Sequence, residues 1–203
     1  MTTFFLVRHG LTPDTGQRLT GWTPGVHLTE EGRLQAKAVA EALAASKIKA
    51  LYSSPIDRTM DTAQAIAERL DLEIQVDEEV GEIRFGRWTN RSLKSLARTK
   101  LWAAVQRFPS GALFPEGESL REAQARAVAE IERLRRLHPR DGVCIVSHAD
   151  VIKLITAHYL GVHIDLFQRI YIAPASITVV SVGDAGPFVL AVNHVPARVG
   201  ESA

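Results

Sequence analysis

FFLVRHGLTPDTG, residues 4–16, takes an apolar run from Phe4 to Val7 straight into Arg8, His9 and Gly10. The run is too short and too sharply bounded for a helix, so Thr3 to Val7 predicts a buried β-strand. A buried strand that stops at a cation and an imidazole delivers polar groups to one spot, and Gly10 is expected to let the backbone turn away. The construction returns twice more. Ala50 to Ser53 reads as a second strand, followed by Ser54, Pro55 near a helix start, and Arg58. GVCIVS, residues 142–147, is another buried strand and ends at His148.

Helical signals fill the gaps between these strands. Residues 10–28 hold four glycines with Pro13 and Pro24 and show no period, which predicts a loop. Thr29 then stands as an N-cap, Glu30 and Glu31 suit the first turn, and Leu34, Ala38, Val39, Ala42 and Leu43 keep helical spacing to about residue 45. A second helix runs from Pro55 to about Leu70, and Ile74 to Val76 is a short strand. Residues 92–107 and 118–137 have helical periodicity, divided by the breaker run PSGALFPEG. A helix over 149–160 stops at Gly161. Ile177 to Val182 and Phe188 to Val192 are the last strands, joined by GDAGP, and the tail PARVGESA is expected to fray. Strands alternating with helices predict one α/β domain over residues 1–203, a three-layer sandwich whose mostly parallel central sheet is flanked by helices. In such sheets ligands gather at the carboxyl ends of the strands.

The composition is that of an ordinary globular protein, 46% hydrophobic and 23% charged with a net charge of +1. Cys144 is the single cysteine, so no internal disulfide forms and a reducing compartment is expected. No stretch has the length of a membrane span, and the N-terminus lacks the pattern of a signal peptide. The expectation is a cytoplasmic protein with neither a membrane nor a nucleic-acid partner.

Two arginines and two histidines aimed at one rim repel one another unless an anion joins them. Phosphate fits, because the guanidinium fork matches its oxygens at any working pH. A neutral imidazole can attack phosphorus, and a second can support the phosphoryl oxygens. At this point a family resemblance is clear. LVRHGLT at 6–12, TGW at 20–22, LTEEGRLQA at 28–36, SSPIDRTMDTA at 53–63, GEIRFGRWTNRSL at 81–93, PEGESL at 115–120 and VSHADVI at 146–152 together resemble the histidine phosphatase superfamily, also called phosphoglycerate mutase-like.

The resemblance implies a phosphatase acting on a small phosphomonoester, without metal or other cofactor. His9 would be the nucleophile that becomes phosphohistidine. Arg8, Arg58 and His148 would hold the phosphoryl oxygens, with Thr15 and the helix start at Ala149 adding to the phosphate site. Glu82 would give a proton to the leaving oxygen and then activate water. Thr15 stands where many members have asparagine. Asp150 stands where glycine is frequent, and is read as a helix-start residue outside the site. The insertion that caps the site in relatives corresponds to about residues 83–118, and Gly21, Arg84, Arg87 and Trp88 are candidate substrate contacts.

Plainer readings exist for several of these residues. An isolated histidine is more often a core residue; Arg58 has Asp57 and Asp61 as helix partners; Glu82 follows an acidic turn with Asp77, Glu78 and Glu79. His27, His138, His158, His163 and His194 fall outside the motifs, and Cys144 reads as inert core. Between Ile83 and Pro115 lie seven basic residues and no acid. That stretch reads either as a solvated helix face or as a positive field for a polyanionic ester. Trp88 and Trp102 would stack on an aromatic leaving group or pack in the core. A phosphomutase shares every residue named here, and a catalytically idle binding or regulatory relative is the rival of another class. An edge strand or apolar patch could support a homodimer.

Overall fold

Both odd and even residues of the Phe4–Val7 run are apolar because the strand is covered on both faces. Phe4 and Leu6 pack on one side with Val143 and Ile145, while Val7 packs on the other with Leu51, Cys144 and Val146. Such continuous burial belongs to strands sandwiched between helix layers. In the computed structural model, which describes residues 1–197, the strands are β1 (Thr2–Arg8), β2 (Arg18–Leu19), β3 (Ile48–Ser53), β4 (Ile74–Val76), β5 (Arg91–Ser92), β6 (Gly142–Ser147), β7 (Ile177–Gly183) and β8 (Gly186–His194). Six of them form one sheet in the order β4-β3-β6-β1-β7-β8, and β2 pairs with β5 in a small ribbon. β4, β3, β6 and β1 run parallel, and β7 and β8 add an antiparallel side. This is the mixed, mainly parallel α/β sandwich that the strand and helix alternation predicts.

The helices are α1 (Glu30–Leu43), α2 (Asp57–Leu70), α3 (Leu93–Leu96), α4 (Lys100–Arg107), α5 (Leu120–Leu137) and α6 (Ala149–Tyr159). Val39, Leu43, Ala63 and Ile66 of α1 and α2 cover one face of the sheet, and Leu120, Ile131, Ile152 and Ile155 of α5 and α6 cover the other. Thr29 caps α1 by accepting from the Gly32 amide, and Ser119 with Glu122 closes a reciprocal capping box on α5.

Three expectations need correction. The helix predicted over 92–107 is two helices, because the Thr99 hydroxyl accepts from the Trp102 amide and starts α4 afresh. The loop over 10–28 contains β2. Gly10, expected to let the backbone turn away, is required for a close approach: a Cβ there would lie 2.5 Å from the Gly32 carbonyl oxygen. The frayed tail falls outside the described residues from 198 onward. β8 is an edge strand, with Phe188, Leu190 and Val192 exposed along it.

What matters for function is the shared direction of β1, β3 and β6. Arg8 pairs with Ser147 and Ser53 with Val146, so three strands end at one level and release His9, Ser54 and His148 on one rim.

Candidate active site

His9 leaves β1 buried, and two contacts fix its protonation. Its Nδ1 lies 2.8 Å from the Gly10 carbonyl, which can only accept, so Nδ1 carries the proton. Its Nε2 lies 3.1 Å from Arg58 Nε, which can only donate, so Nε2 presents its lone pair. Burial, then Arg58 and Arg8, hold the imidazole well below its ordinary pKa, so it stays neutral.

Arg58 is the hinge of the cluster and only 2% exposed. It enters from the first turn of α2, placed there because Pro55 follows the end of β3. Its Nη2 donates to the Gly21 carbonyl and to His148 Nδ1, both at 3.0 Å. His148 therefore carries its proton on Nε2, 2.9 Å from Ser54 Oγ. The imidazole rings of His9 and His148 stand edge to face with centroids 5.4 Å apart. Burial and Arg58 keep His148 neutral as well. Arg8 donates from Nη1 to the Ile172 carbonyl at 2.7 Å. Arg8 Nε and Arg58 Nη1 are buried donors without a partner among the described residues. Burial lowers the pKa of both guanidinium groups, a sign of cations held away from water.

Glu82 faces this cluster from the other side. Its Oε2 lies 3.7 Å from both Arg58 Nη2 and His148 Nδ1, and its Oε1 accepts from the Ile83 amide at 3.0 Å. Burial first, and the charge of Asp150 second, push its pKa up to about 7 despite the nearby arginines. The loop that carries it is clamped from behind. Arg126, in the middle of α5, donates to the carbonyls of Glu79, Gly81 and Glu82 and pairs with Glu118 at 2.8 Å. Trp22 Nε1 adds a 2.6 Å bond to the Glu82 carbonyl.

These groups form the floor of a cavity of about 380 Å³. Arg8, His9, Thr15, Arg58, Glu82, Trp88 and Ala149 line it; Thr15 Oγ1 accepts from the Thr12 amide at 3.0 Å, and Ala149 opens α6. His148 lies behind this lining, and Gly21 acts only through its carbonyl on Arg58. Arg84 and Arg87 are corrections: neither lines the cavity. Arg84 pairs with Glu78 and lies over the Trp22 ring, while Arg87 pairs with Glu116. Asp150 is the opposite correction. It lines the cavity and pairs with Lys153 at 3.1 Å, so its place near the helix start does not keep it out of the site. Arg18, Lys153, Gln168 and Tyr171 also line it and carry no motif. A charged pair four or three residues apart on a helix is the only sequence signal for Lys153, and it is a weak one.

Comparison with known proteins places the chain by family and fold. The model of the histidine phosphatase superfamily (branch 1) matches residues 4–195. The chain is 28% identical over 179 residues to phosphoserine phosphatase 1 of Hydrogenobacter thermophilus, covering 86% of this chain and 83% of that one. It is 30% identical over 181 residues to the probable phosphoglycerate mutase GpmB of Yersinia pestis, with 88% and 84% covered. Among solved structures, YhfR of Bacillus stearothermophilus superposes with a TM-score of 0.90 at 26% identity, over 96% of this chain and 98% of that one.

Proposed function

The chain belongs to the histidine phosphatase superfamily, and within it we propose a metal-independent phosphatase that hydrolyses a small phosphomonoester through a phosphohistidine on His9. The observation that carries this reading is the tautomer of His9, neutral with its proton held on Nδ1 by the Gly10 carbonyl, which leaves Nε2 unprotonated for attack once phosphate takes over the Arg58 hydrogen bond. Nε2 attacks phosphorus in line with the ester oxygen, the P–O bond breaks, and the Glu82 carboxylic acid gives its proton to the departing oxygen. Water then attacks the phosphohistidine, giving a proton back to the Glu82 carboxylate as the N–P bond breaks. Arg8 and Arg58 hold the equatorial oxygens and balance their charge. His148 stands behind Arg58, whose Nη2 donates to its Nδ1, and supports the guanidinium that holds those oxygens.

The likeness to a probable phosphoglycerate mutase supports a second reading, phosphoryl transfer between two positions of one substrate. Phosphate release from a panel of monoesters, alone and with a bisphosphate primer on 3-phosphoglycerate, separates the two. Hydrolysis gives free phosphate without primer, and mutase action gives 2-phosphoglycerate only with it. His9→Ala should lower either activity at least 10³-fold; retention of activity, or a silent wild-type enzyme, overturns the proposal. The single cysteine supports a reducing, cytoplasmic location, and no helix of the described residues is long and apolar enough to cross a membrane.

A further inference from the structure

The cavity above the phosphate cluster has a character of its own. Its walls are Phe85, Trp88, Trp102, Val105 and Phe114 from the cap, and the two indole rings stack with centroids 6.3 Å apart and planes 28° from parallel. Helix geometry explains why the basic segment does not contribute. Trp102, Val105 and Gln106 of α4 share the face that lines the cavity, which leaves Lys100 and Arg107 on the far side. None of the seven basic residues between Ile83 and Pro115 lines the cavity. The cations that do line it outside the phosphate cluster are already engaged. Arg18 donates to the Asn90 carbonyl at 2.9 Å, and Lys153 donates to Asp150 at 3.1 Å and to Gln168 at 3.0 Å. Asp150 also lines the cavity, beside Lys153.

We propose that the leaving group is a bulky aromatic alcohol without a second anionic group, held by the stacked Trp88 and Trp102. This rests on the phosphatase reading and names the substrate class of that site. Outside the phosphate cluster, a carboxylate or second phosphate on the alcohol would meet Asp150 and find Lys153 held by Asp150 and Gln168 and Arg18 bonded to the Asn90 carbonyl. An aromatic ring instead meets aromatic faces and edges and displaces water from apolar wall. The positive field of the cap is thus a property of its outer surface and does not select the ester.

Two matched probe pairs test this. The first pair is non-hydrolysable, 2-phenylethylphosphonate against 3-phosphonopropionate, and its affinities are measured by calorimetry. The second is 2-phenylethyl phosphate against 3-phosphoglycerate, compared by kcat/KM; both are alkyl esters, so leaving-group acidity does not decide the outcome. The phenyl compound should be favoured at least 10-fold in each pair. Trp102→Ala should erase most of that preference and Trp102→Phe should keep it. Equal or better binding of the carboxylate probe, or a preference untouched by Trp102→Ala, overturns the inference. If the phenyl probe binds preferentially but no ester is hydrolysed, the aromatic preference of the cavity stands, while the phosphatase reading falls and with it the assignment of a leaving group.

Discussion

Replacing Arg126 with Met separates the placement of Glu82 from the stability of the fold. Arg126 donates five hydrogen bonds, three to the carbonyls of Glu79, Gly81 and Glu82 and two to the Glu118 carboxylate. The pair is nearly buried, with side chains 15% and 11% exposed. Removing one partner of such a pair strands the other and costs about 3–5 kcal/mol. For a domain of this size each kcal/mol moves Tm by roughly 2–4 °C, so the variant should melt roughly 10 °C lower. The loop also loses three anchors on the segment carrying Glu82, and a displacement of about 1 Å at a reacting group costs on the order of 10²-fold in rate. Stability and rate are then uncoupled by adding Glu118→Gln, which removes the stranded charge and still accepts from the Arg84 amide. The double variant should regain most of the Tm, read by calorimetry, while kcat stays low. If Arg126→Met keeps kcat within threefold, or the double variant restores rate and Tm together, Arg126 does not position Glu82.

Further perturbations probe other parts of the argument. Glu82, ordinarily near 4.5, is pushed up to about 7 and must hold a proton to act as acid, so kcat/KM should fall as pH rises above about 7. Because this pKa is raised on folding, its stabilising share is whole below 4.5 and lost by the time pH passes 7; Glu82→Gln should therefore gain Tm over wild type at pH 8 and not at pH 4, and an equal difference at both would contradict the assignment. Asp77, beside Glu130 and 4.0 Å from Arg133, is raised to about 6 by burial first and by Glu130 second. Its stabilising share likewise disappears between about 3.8 and 6, so Asp77→Asn should raise stability by about 1–2 kcal/mol at pH 7.5 but not at pH 3.5, measured by urea unfolding. A Cβ on Gly32 would sit 2.2 Å from the Leu11 carbonyl oxygen, so Gly32→Ala should destabilise by about 1–3 kcal/mol and depress kcat through the Gly10 turn; an unchanged melting curve would refute the close approach.

The rim was legible in the sequence because each of its strands is an apolar run that stops at a chemically distinct residue. Arg8, His9 and His148 announce themselves in that way, and Arg58 follows one helical turn after a strand end. Arg126 does not, since in REAQARAVAE it reads as one more charge on a solvated helix, and its partners Glu79, Gly81 and Glu82 are more than forty residues away. Of the two readings of the basic stretch, the solvated face is the one that the cavity lining supports. The stretch contains no acid of its own, but folding brings Glu78 and Glu116 to Arg84 and Arg87 from either side. Asp150 shows the limit of local rules: an acid suits the first turn of a helix whichever way it faces, and only the packing of α6 turned it toward the cavity.

β1 lies in the middle of the sheet, between β6 and β7, and its parallel partner is distant in the chain: Phe4 pairs with Val143. The strand that delivers the nucleophile is thus synthesised about 140 residues before the parallel partner that encloses it, Phe4 against Val143. At synthesis rates of about 5–20 residues per second, FFLV waits on the order of 10–30 s before its partner strand exists. Over that interval an apolar segment depends on transient cover, from chaperones or from the nascent α1 and α2, to escape aggregation. The architecture that gathers distant residues on one rim therefore makes synthesis itself the most exposed moment in the life of the molecule.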